Sequence, residues 1–188
     1  MRLHCGLPLS LSIALLLAMA GCASTGPSGM LAADAPRGLP ESGPVSVHWN
    51  DPATFTEVRL SSNRWVASEG NWLEALAQYM RKRAEPKLTA GERLDLTIVD
   101  IDRAGQYEPW LGPNLQNTRI IRDQYPPRMT VQFRRYDAGG TVLAEGERKL
   151  TDPAFMLSAS PGNSTDPLRY EKRMIDSWLR RELDIAAR

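Results

Sequence analysis

The sequence predicts a two-layer α+β domain, a mixed, mostly antiparallel sheet of about five strands with two helices packed on it. Three observations lead there. Residues 45–49 and 94–102 carry strand patterns, residues 71–86 and 166–183 switch to a helical period, and two further strand-like runs flank Ala138-Gly139-Gly140 as a hairpin does.

In chain order, "VSVHW" at 45–49 places Val45, Val47 and Trp49 on one side and turns His48 toward water. "NWLEALAQYMRKRAEP" at 71–86 puts Trp72, Leu73, Leu76 and Met80 on one helix face. Asn71 is placed to cap this helix, with Glu74 three residues on, and Pro86 stops it. "LDLTIVDID" at 94–102 is the next strand and "TRIIRD" at 118–123 a short one. "RMTVQFRRYD" at 128–137 and "TVLAEGERKL" at 141–150 form the hairpin. In the last helix Asp166 is the N-cap, Pro167 the first helical residue, and Leu168, Ile175, Trp178, Leu179 and Leu183 the apolar stripe. The expected arrangement has both helices on one face and a right-handed parallel crossover between the first two strands; helices on opposite faces are the alternative.

Ahead of this domain stands an export signal. Arg2 supplies the positive end, and Leu7–Ala20 is an apolar run too short to span a bilayer, which needs about 20 residues. Ala18-Met19-Ala20 fits an ordinary cleavage site. Met19-Ala20-Gly21-Cys22 resembles the bacterial lipoprotein box, in which the cysteine is acylated and becomes the first mature residue. The expected organisation is a lipoprotein signal peptide over 1–21, a lipidated Cys22 with a flexible tether rich in Ala, Ser, Gly and Pro over 22–44, and one domain over 45–188. By the same resemblance, Ala23 after the cysteine favours the outer membrane, with the domain facing the periplasm; a soluble periplasmic protein is the alternative.

Composition narrows the chemistry. The 188-residue chain carries 23 Lys and Arg against 22 Asp and Glu. Removing residues 1–21 takes Arg2 and no acid, which leaves the charges equal and gives no global attraction to nucleic acid. The two cysteines are Cys5 and Cys22, and the two histidines His4 and His48. After cleavage one of each remains, too few for an intramolecular disulfide, a Cys/His metal site or a Cys–His nucleophile in the domain. No phosphate-cradling loop, dinucleotide fingerprint or nucleophile elbow occurs, so no cofactor and no metal are expected.

"VSVHWNDPATFTEVR" at 45–59, "VDIDRAG" at 99–105, "PPR" at 126–128 and "DPLRYEKRMIDSWL" at 166–179 are similar, in this order, to a bacterial exported family catalogued as domain of unknown function 3016. The departure is Arg103, where the family's D-x-D-L-A-G form has Leu. The resemblance implies an exported domain and brings no activity or catalytic residues with it.

Asp100 and Asp102 lie on one strand face with Leu94, Leu96 and Ile98, which aims two carboxylates at the core. Unpaired burial is costly, so either the strand ends or bulges near Val99, or basic partners meet the acids. Arg128, Arg169 and Lys172 are the candidate partners, in a structural charge network that includes Glu171. The functional reading of these acids is a cation site or an acid/base pair acting on a glycan. The loop "QYEPWLGPNLQN" at 106–117 offers Tyr107, Trp110 and Leu111 as binding anchors, or as aromatics folded over a sheet edge. Arg81-Lys82-Arg83, with Lys87 and Arg93 nearby, is a solvated helix end or a contact for anionic lipid or polysaccharide.

The expected function is that of a non-enzymatic, lipid-anchored envelope module. Its partners are the membrane, through Cys22, and an envelope protein, glycan or lipid. The alternatives are a carboxylate-based enzyme and an apolar-ligand carrier with a cavity of several hundred Å3.

Overall fold

The computed structural model describes residues 29–32, 34–157 and 165–183. The expected export signal and Cys22 lie outside them.

The expected α+β architecture is present. Strands β1 (Val45–Trp49), β2 (Arg93–Asp102), β5 (Arg128–Tyr136) and β6 (Val142–Thr151) form one mixed sheet in the order β1-β2-β5-β6. β1 and β2 are parallel, and the other two pairings are antiparallel. Between β1 and β2 run two short helices, α1 (Thr56–Arg59) and α2 (Arg64–Ser68), and the longer α3 (Trp72–Ala84). After β6 comes α4 (Arg169–Leu183).

Helices α3 and α4 bury their stripes against the same sheet face. Leu73, Leu76, Met80, Ile175, Trp178 and Leu179 share one core with Val47, Leu96, Ile98, Val131 and Phe133. Each such large apolar side chain contributes roughly 1.5–3 kcal/mol on burial. The other face carries Asp95, Thr97, Gln132, Arg134, Glu145 and Glu147 by strict alternation and is largely open to water. At the far edge Arg148 reaches back from β6 to the Glu182 carboxylate, with 2.8 Å contacts at both oxygens.

The main sheet has four strands, one fewer than expected. Residues 118–123 yield only β4 (Arg119–Ile120), which pairs with β3 (Gln106–Tyr107) in a separate two-stranded sheet. The cause is the turn at Gly105. Its φ of +82° is a left-handed conformation, and its N–H donates to Tyr125 O at 3.0 Å. The chain therefore leaves the main sheet after β2 and returns only at Arg128. Asn71 stands at the α3 N-cap position without a side-chain hydrogen bond. Asp166 does cap, accepting the Leu168 N–H at 2.9 Å, but regular helix starts at Arg169 rather than at Pro167.

The segment expected to be a tether is partly folded. Gly38 bridges His48, the Leu39 N–H donates to Val47 O at 2.9 Å, and Leu39 is buried in the core. Met30 packs against that core as well. These contacts partly cover the outer edge of β1, where unpaired backbone groups would otherwise face solvent.

Candidate binding surface

The conflict posed by Asp100 and Asp102 is resolved by a bulge. The β2–β5 register slips between Ile98 and Asp100, leaving Val99 without a cross-strand partner. Ile101 thereby takes the core position, fully buried, and the two acids turn to the opposite face. Asp100 does not meet the expected basic partners. It accepts the Thr56 backbone N–H at 2.6 Å and the Thr56 hydroxyl at 2.7 Å, fastening the start of α1 to the sheet. Asp102 faces Arg128 across the β2–β5 pair at 3.9 Å. Partial burial, followed by the negative charge of Glu57, pushes its carboxyl up to about 6 against the pull of Arg128.

The charge cluster is organised instead by Glu57 of α1, which is buried. Its carboxylate accepts the Arg103 backbone N–H and the Arg103 guanidinium, each at 2.9 Å, and also the Arg119 guanidinium. Arg103 stacks over Trp72 at 4.6 Å, and Arg119 over Tyr107 at 4.7 Å. Glu171, also buried, accepts the Ala104 N–H at 2.7 Å, while its second oxygen has no partner among the described residues. Burial raises its carboxyl above the usual range, opposed by the Ala104 N–H and by the charges of Arg103 and Arg119.

The other two expected members of the network sit apart from it. Lys172 pairs with Asp166 at 2.7 Å, and Arg169 donates to Asp166 O and the Tyr170 hydroxyl. Glu57, Arg103 and Arg119 escaped the sequence reading because they are far apart in the chain. The one local signal was Arg103 itself, standing where the resembled motif has Leu.

This cluster supports an exposed surface. Tyr107 is not part of it: its ring lies under Arg119 and is only 4% exposed, which corrects the expectation of a contact residue there. Trp110 is 67% exposed and Leu111 also lies open. The loop is held at its base by Glu108, whose buried carboxylate accepts from Arg122 at 2.8 Å and from the Tyr125 hydroxyl at 3.0 Å.

The α1–α2 segment lies against the same loop. Asn63 donates to Gln116 O at 3.1 Å and to Asn117 Oδ1 at 2.8 Å. It brings two more exposed apolar side chains, Leu60 and Trp65, the latter 70% exposed; Leu115 completes the set. Neither exposed indole N–H has a partner among the described residues. The exposed Arg59 and Arg64 in the same segment likewise form no ion pair among the described residues. Leu60 and Trp65 lacked a sequence signal, since single apolar residues in a short helical segment read as core.

Elsewhere, two members of the 81–83 cluster serve the fold. Arg81 donates to Val45 O at 3.0 Å and Arg83 pairs with Asp176 at 2.7 Å. His48 is half-exposed, 3.9 Å from Glu41. A cleft of about 630 Å3 opens between the segment carrying Met30 and Leu39 and the start of α3, with Trp49 and Leu73 also in its lining. Among the described residues no group of His, Cys, Asp and Glu is placed to hold a metal ion, and no helix is long and apolar enough to cross a membrane.

Compared with protein-family models, residues 43–181 match "Protein of unknown function (DUF3016)". No curated protein and no solved structure matches the chain.

Proposed function

Because the chain belongs to the DUF3016 family, whose description carries no activity, its role has to come from its own surface, and we propose that it is a non-enzymatic binding module of the bacterial envelope. In this reading Cys22 carries the lipid anchor at the outer membrane, and the domain meets its partner in the periplasm through Leu60, Trp65, Trp110, Leu111 and Leu115. One observation carries it: two indoles stand open to solvent on segments that are hydrogen-bonded to each other. Exposed tryptophans in such a setting are typical binding anchors.

The carboxylates support this choice over catalysis. Of the three acids named for that chemistry, Asp100 and Glu171 are committed to backbone N–H groups, and only Asp102, partly buried beside Arg128, keeps a carboxylate that reaches solvent. Glycoside hydrolysis needs two.

Photocrosslinking from position 110 in intact cells tests the contact surface. Capture of a protein or a lipid that is lost in Trp65→Ala supports it, and a crosslinker at position 110 that captures neither rejects it. Fatty-acid labelling that disappears in Cys22→Ala tests the anchor.

The cleft beside Met30 favours a second reading, carriage of a small apolar ligand. Met30→Arg would abolish uptake of a fluorescent fatty acid if this cleft holds the ligand; unchanged uptake rejects the cleft.

A further inference from the structure

We propose that the Trp65–Trp110 surface docks on an anionic phospholipid bilayer. The inference rests on reading this surface as the contact site, and it names the partner.

Three features select a bilayer. The first is side-chain chemistry. An indole with a free N–H prefers the membrane–water interface, where its ring is buried among acyl chains and its N–H meets headgroup oxygens. Trp65 and Trp110 both offer that combination, flanked by Leu60, Leu111 and Leu115.

The second is charge. Arg59 and Arg64 precede Leu60 and Trp65 directly and are exposed and unpaired among the described residues. The nearby acids Glu57 and Glu108 are buried and already hold arginines. Glu69, at the end of α2, is an exposed acid in this segment. Asp123, beside Arg122, is another exposed acid, but Arg59 and Arg64 are the cations next in sequence to the exposed Leu60 and Trp65, and they are what this segment offers to a negative surface.

The third is reach. Met30 and Leu39 pack on the core and residues 37–39 are bonded to β1, so the chain is held to the domain from Met30 on, and the stretch between Cys22 and Gly29 spans at most about 25 Å. An acylated Cys22 would thus keep the domain beside the bilayer, and a weak second contact would become effective at that short range.

The full chain is mixed with vesicles of phosphatidylethanolamine and phosphatidylglycerol whose acyl chains are brominated, and tryptophan fluorescence is recorded. Residues 1–28 contain no Trp, and Trp49, Trp72 and Trp178 are buried, so quenching reads Trp65 and Trp110. The expected result is quenching on these vesicles that falls away without phosphatidylglycerol or in high salt. Arg59→Gln with Arg64→Gln should weaken it about 30-fold. Trp65→Ala with Trp110→Ala should remove it while the circular dichroism spectrum is retained.

Absence of quenching on the anionic vesicles overturns the proposal. So does quenching indifferent to the two arginines. If Trp110 crosslinks to a protein in cells while the vesicles give no quenching, the contact surface stands and the bilayer assignment falls. If both experiments are silent, both fall.

Discussion

Glu171 on α4 accepts the backbone N–H of Ala104 at 2.7 Å, joining the last helix to the turn that follows β2. The carboxylate is buried, and burial is the main reason its proton affinity is raised. A raised carboxyl contributes stability at low pH and loses it as pH rises through the folded value. Glu171→Gln keeps an acceptor for Ala104 and removes the charge, so stability should fall less with rising pH than in the parent. Glu171→Ala leaves the N–H unsatisfied beside a cavity and should cost about 3 kcal/mol. Urea denaturation at a series of pH values checks both.

Asp102 gives a second pH signature on the same end of the sheet. Its folded value of about 6 lies above the ordinary 3.8, so its contribution is complete below pH 3.8 and disappears as pH rises through about 6. Asp102→Asn should flatten this part of the profile and gain roughly 1–2 kcal/mol at pH 8, after allowance for the partial exposure of the side chain. A parent and variant that differ equally at pH 3 and pH 8 would contradict the assignment.

Arg135 and Glu92 form a buried bidentate pair with contacts of 2.8–3.1 Å. Hydrogen bonding from Arg135 is the main cause that holds the Glu92 carboxyl below its usual range, so this pair stabilises above the ordinary carboxyl value and loses that stability as pH falls. Arg135→Met strands the carboxylate and should destabilise by about 3–5 kcal/mol at pH 7. Adding Glu92→Gln should recover much of the loss, as thermal unfolding of the double variant will show.

Gly105 and Gly70 both have positive φ, +82° and +80°, but different surroundings. A Cβ at Gly105 would stand 2.6 Å from Ile120 O, whereas one at Gly70 meets nothing within 4 Å. Gly70→Ala should therefore cost only the conformational strain, about 1 kcal/mol, and Gly105→Ala clearly more. Calorimetric midpoints that rank the two in the opposite order would refute the role given to the Gly105 turn.

Much of the fold was legible in the sequence because its signals are local. Apolar side chains at period two and at helical spacing marked β1, β2, the β5–β6 hairpin, α3 and α4, and Asp166 marked a cap. The fifth strand was misplaced because a strand pattern records a buried face and not a partner. Where residues 119 and 120 pair depends on the turn at Gly105. The candidate surface was half legible: Trp110 and Leu111 stood out as apolar residues in a polar loop, but nothing in the chain said that Tyr107 would be roofed by Arg119.

The layer composition, the hairpin and the apolar stripes could be read from the chain, since they follow from side-chain spacing along a regular backbone. Packing chose between the bulge near Val99 and basic partners for the carboxylates: one unpaired residue at Val99 inverts the alternation after it. It also decided that Glu57 gathers Arg103 and Arg119, and that Trp65 comes beside the loop of Trp110. Such meetings of residues distant in the chain are fixed by how the elements pack, and no local pattern encodes them.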